Sequence, residues 1–152
     1  MKLVVRSALF AGVLAVAALP SAFAADKPEE AVKYREALMD VIGGHTKSFF
    51  AVLGGKVSQP QDLAYHADAL AEAAKRVKGA FAQNTAGSGA KTEAKDGIWA
   101  AGSEFTKLAG DFETAAANLS KAVASQDQAA IGAAAKVVGG ACKGCHDKFK
   151  ED

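Results

Sequence analysis

Val137-Val138-Gly139-Gly140-Ala141-Cys142-Lys143-Gly144-Cys145-His146-Asp147-Lys148-Phe149 is the stretch whose reading decides the fold. It holds the only two cysteines of the chain, separated by two residues and followed at once by a histidine. On a helix, positions three and four apart share a face, so Cys142, Cys145 and His146 project from one side of the segment. Cys-x-x-Cys-His is the attachment pattern of haem c: two thiols add across the vinyl groups of one porphyrin edge, and the adjacent histidine turns its ring under the iron. The spacing predicts a covalent haem held along the face of the last helix.

Other uses of these residues fit less well. A thioredoxin-like dithiol sits at the start of a helix after a strand, whereas these cysteines come late in a helical chain without a βαβ pattern. Structural zinc takes four ligands, and beyond the thiols and His146 the remaining histidines, His45 and His66, are far away in sequence. A plain disulfide leaves the following histidine without a role.

Working back from this stretch, the last helix is expected to start at Ser125-Gln126-Asp127-Gln128, where Ser125 and Gln128 have capping-box spacing. A helix over about Gly97–Ala124 carries Ile98, Phe105, Leu108, Phe112, Leu119 and Val123 at helical spacing. Asn84 to Asp96 is polar, without periodicity, and reads as a long loop. Before it, a helix over about Pro60–Phe81 places Leu63, Leu70, Val77 and Phe81 on one face. The first helix starts near Asp26-Lys27-Pro28-Glu29-Glu30, with carboxylates at the positive end of its dipole, and Gly54-Gly55 closes it. Val32, Met39, Ile42, Phe49 and Leu53 form its apolar stripe. Gly43-Gly44 in its middle predicts either a kink or the close approach of something bulky. Four amphipathic helices with mostly short connections predict an all-α, up-down-up-down four-helix bundle.

Composition agrees. The 152 residues suffice for one domain, 50% are hydrophobic and 23% charged, and the formal net charge is +1. Disorder and a strongly basic nucleic-acid surface are thereby set aside. Residues 1–24 read as a cleaved signal peptide: Lys2 and Arg6, an apolar stretch from Ala8 to Leu19, then Ala22-Phe23-Ala24 as the cleavage pattern. The stretch is too short to span a bilayer. The exported chain, residues 25–152, loses Met1, so Met39 becomes its sole methionine. Loss of Lys2 and Arg6 moves the net charge from +1 to −1.

Over residues 25–152 the chain resembles the class II c-type cytochromes, the cytochrome c-prime family. The resemblance is carried by the C-terminal Cys142-Lys143-Gly144-Cys145-His146, by Tyr34-Arg35-Glu36 followed by Met39 and Ile42-Gly43-Gly44-His45, and by Gly97-Ile98-Trp99. It implies a periplasmic four-helix bundle with one haem c, thioether-linked to Cys142 and Cys145 and ligated by His146. Arg35 and Glu36 would lie beside the haem edge and propionates, with Glu93 in a similar haem-contacting position. Pairing of two chains through the first and second helices is also a family trait.

The family divides by the distal residue on the first helix, apolar in many members and methionine in a low-spin branch, and this chain has Met39 there. A thioether is a soft donor that pairs with imidazole in electron-transfer haems. The expectation is therefore a six-coordinate His146/Met39 haem carrying single electrons between redox partners. The rival is a five-coordinate haem that binds nitric oxide or carbon monoxide. A bis-histidine haem is disfavoured: His45 is six residues on from Met39, about 120° around the helix, His66 is on the second helix, and each is more often a surface or satisfied histidine than a ligand. No catalytic constellation is recognised, so no enzyme activity is expected. Lys136, Lys143, Lys148 and Lys150 place positive charge near the haem-bearing end, where it would either steer an acidic partner or offset the helix dipole.

Overall fold

The computed structural model describes residues 25–151. The expected signal peptide, residues 1–24, lies outside the described residues. The elements are α1 (Pro28–Leu53), α2 (Asp62–Ala74), α3 (Val77–Ala80), a 3₁₀ turn (Asp96–Trp99), α4 (Phe105–Ser125) and α5 (Gln128–Phe149). α2 and the one-turn α3 together form the second rod of a four-helix bundle.

α1 begins with Pro28, whose missing N–H costs nothing in the first turn, and with Glu29 and Glu30 against the dipole. It ends in a Schellman arrangement. Gly55 takes a positive φ of 67°, its N–H donates to the Val52 carbonyl oxygen at 3.0 Å, and the Lys56 N–H donates to that of Ala51 at 2.9 Å. α1 runs unbroken through Gly43-Gly44.

Two boundaries differ from expectation. The helix expected from Gly97 starts only at Phe105, because Gly102 (φ 73°) turns the chain and the Ser103 hydroxyl accepts the Phe105 N–H at 3.2 Å. Gly97-Ile98-Trp99 lies in the 3₁₀ turn instead. At α5, the cap is Asp127 rather than Ser125: its carboxylate accepts the N–H groups of Ala129 (2.9 Å) and Ala130 (3.1 Å). The Ser125 hydroxyl is turned back to the Ala122 carbonyl oxygen. A carboxylate also suits the positive end of the α5 dipole.

α1 packs on α2, α2 on α4 and α4 on α5, whereas α1 and α5 have no comparable packing. The core is built around Phe49, Leu70, Leu119, Ile131 and Val138, all fully buried. The side between α1 and α5 is left for a cavity.

Candidate functional site

α5 presents Ala141, Cys142, Cys145, His146 and Phe149 to a cavity of about 360 Å³. Spacings of three, four and seven put these side chains in one stripe. The opposing wall comes from α1, with Arg35, Glu36, Met39, Ile42, Gly43, Thr46 and Lys47, and the floor from Phe105, Leu108 and Phe112 of α4. Thr92, Glu93 and Ala94 of the loop close one end together with Lys150. Every residue singled out for the haem, namely Arg35, Glu36, Met39, Glu93, Cys142, Cys145 and His146, lines this one cavity. His45 and His66 do not line it; their Nδ1 atoms face each other 3.0 Å apart.

The cavity suits a large flat apolar group with one ligating edge. Gly43 faces it, and a Cβ built there would meet no protein atom within 4 Å. The glycine therefore marks room beside α1, not a kink. Burial pushes the pKa values of the Cys142 and Cys145 thiols up, with Cys142 adding to the effect on Cys145. Among the described residues no group of three or more His, Cys, Asp or Glu side chains is placed to hold a metal ion.

Arg35 is 2% exposed and is held by the chain itself. Its Nε donates to the Ala80 carbonyl oxygen at 2.8 Å, Nη1 to the Thr85 hydroxyl at 2.7 Å, and Nη2 to the Gln83 carbonyl oxygen. The guanidinium also lies over the rings of Phe81 and Trp99, at 5.1 and 5.0 Å from their centroids. Burial lowers its pKa, but guanidinium stays protonated. An α3 carbonyl that a further helical turn would have used is thus satisfied, and the rod stops there. The Trp99 indole takes the next carbonyl oxygen, that of Phe81, at 2.8 Å. None of these partners was visible in the sequence, since Arg35 and Thr85 are 50 residues apart.

The same end of the cavity, where Phe81 packs on Phe105 and Phe105 on Phe149, is also strapped. The Lys95 N–H donates to the Phe149 carbonyl oxygen (2.9 Å), the Glu151 N–H to that of Glu93 (2.7 Å), and Lys150 pairs with the Glu93 carboxylate at 2.8 Å. Lys143 and Lys148 are likewise paired, with Asp147 and Glu104. The positive cluster that would either steer an acidic partner or offset the helix dipole is thus locally paired at three of its four lysines.

A protein-family description, Cytochrome C', matches residues 30–150. The chain belongs to the cytochrome c' family. A cytochrome c' from Pararhodospirillum photometricum is 38% identical over 124 residues, spanning 82% of this chain and 98% of that protein. The crystal structure of cytochrome c' from Rubrivivax gelatinosus aligns with a TM-score of 0.74 at 36% identity, over 82% of this chain and 98% of that one. Cytochrome c' of Alcaligenes xylosoxidans, solved as a ferrous arginine-to-lysine variant with bound nitric oxide, aligns with a TM-score of 0.73 at 28% identity, over 83% and 97% of the two chains. As in its family, the group this cytochrome c' carries is covalently attached haem c with its iron.

These relatives correct one expectation. A six-coordinate His146/Met39 electron carrier of the low-spin branch does not agree with a family whose solved members include a nitric oxide complex, which requires an accessible iron position. A methionine at the distal position of α1 is not by itself evidence of ligation, because a flexible thioether also serves as an apolar filler.

Proposed function

We propose that this cytochrome c' is a gas-binding protein, taking nitric oxide or carbon monoxide at a five-coordinate haem without catalytic turnover. The observation that carries the reading is the chemistry of the cavity wall facing His146. Met39, Ile42 and Gly43 of α1 form an apolar surface there, and the two other histidines are engaged with each other outside it. When bound, haem c supplies an iron with one open coordination position.

In this proposal Cys142 and Cys145 hold the porphyrin by thioether bonds, and His146 is the proximal ligand. Met39 is a wall residue that, with Ile42, excludes water and admits a small uncharged molecule. Arg35 positions the Phe81 and Trp99 rings, while Glu36 and Glu93, both exposed, sit at the polar rim where propionates would emerge. Export by residues 1–24 to the periplasm belongs to the same reading, supported by the Ala22-Phe23-Ala24 pattern. Among the described residues no helix is long and apolar enough to cross a membrane. Pairing of two chains through α1 and α2 is supported by exposed Tyr34, Val41 and Tyr65 on those helices.

The test is absorption spectroscopy of the exported holoprotein. High-spin spectra in both oxidation states, with a shifted Soret band on adding carbon monoxide or nitric oxide to the reduced form, are expected in the parent and in Met39→Leu. A low-spin parent with a sulfur-to-iron charge-transfer band lost in Met39→Ala, and no response to either gas, would sink the proposal.

A further inference from the structure

On the α1–α2 face, away from the haem cavity, stands a cluster of three rings: His45, Tyr65 and His66. The histidines come from different helices, are half-buried, and bring their Nδ1 atoms to 3.0 Å. Tyr65 packs edge-on against His45, with centroids 5.4 Å apart, and lies tilted on His66 at 5.0 Å. Two rigid helices and an aromatic neighbour therefore restrict both imidazoles.

We propose that His45 and His66 form a two-point chelate for a divalent transition-metal ion of the zinc and copper class. Bonds of about 2.0–2.1 Å at a tetrahedral angle put two ligand nitrogens about 3.3 Å apart, so the pair has only to open by about 0.3 Å and turn both lone pairs to a common point. One Nδ1–H now donates to the other Nδ1; on metal binding that ring carries its proton on Nε2, and no net proton is lost by neutral rings. Imidazole is a suitable donor for both ions, and copper(II) stands above zinc in intrinsic affinity. Two protein donors leave the remaining positions to water.

The test is calorimetric titration of the holoprotein with zinc chloride, in which His146 is occupied by the haem, alongside His45→Gln and His66→Gln. One zinc per chain is expected in the parent, with at least tenfold weaker binding in each variant. With copper(II), electron paramagnetic resonance should register two coupled imidazole nitrogens in the parent and one in each variant. Absence of zinc binding in the parent, one ion per two chains, or variants that bind like the parent would each overturn the chelate. If circular dichroism reports loss of helix in a variant, the parent's thermal midpoint decides. Excess zinc must raise it by binding the native state preferentially, and an unchanged midpoint counts against the proposal.

Discussion

The Arg35 guanidinium donates to the Thr85 hydroxyl at 2.7 Å, joining the first turns of α1 to the start of the loop that closes the cavity. Both residues are buried, at 2% and 6% exposure, so the bond is made away from water. With the bonds to Ala80 and Gln83, it fixes the end of α3, where the Phe81 and Ala82 N–H groups and the Trp99 indole take the neighbouring carbonyl oxygens.

Arg35→Leu should therefore destabilise the fold by about 3 kcal/mol, since two buried acceptors and a part-buried one lose a charged donor. Urea denaturation of the holoprotein measures this. Arg35→Lys should recover only part of the loss, because an ammonium point charge cannot span three acceptors set in a plane. Equal stability of Arg35→Leu and parent would mean that the clamp carries no net free energy.

The strap between the loop and the end of α5 should loosen in acid. Lys150, by hydrogen bond and by charge, holds the Glu93 carboxyl below its ordinary 4.5. A depressed carboxyl contributes fully above its unfolded-state value, and the contribution is lost as pH falls through the folded one. Hydrogen exchange of the Lys95 and Glu151 amides, corrected for intrinsic rates, should accelerate below about pH 4.5 in the parent. In Lys150→Met that pH dependence should disappear.

Capping at α5 distinguishes two neighbouring residues. Asp127→Ala should cost about 1 kcal/mol in thermal or urea denaturation, because two N–H groups and the helix dipole lose their carboxylate. Ser125→Ala should cost less than half as much. The opposite ranking would restore the capping box expected from Ser125 and Gln128.

Gly43 allows the cavity wall to be tested from the side of α1. Gly43→Ala should stabilise the haem-free chain by about 1 kcal/mol through helix propensity, as its methyl group meets nothing in the protein. Gly43→Leu should leave the helical content unchanged but fill space beside the thiols, lowering the fraction of exported chains that carry covalent haem by mass spectrometry. Full haem loading in Gly43→Leu would place the porphyrin away from this stretch of α1.

Local spacing determined a good deal by itself. Cys145 and His146 stand three and four residues after Cys142, so any helix through them puts all three side chains on one face, whatever packs around it. The same holds for the α1 stripe and for its glycine stop, because helix period and capping depend on neighbours a few residues away. The tertiary structure alone decided where the rods end and how the cavity is closed. Arg35 stops α3 across 45 residues of chain, Trp99 takes a carbonyl 18 residues back, and Glu93 meets Lys150 through the last turn of α5. Pairing His45 with His66, and leaving α1 apart from α5, likewise required the helices to be placed. Such contacts are fixed by the packing of distant segments, and short-range periodicity carries no trace of them.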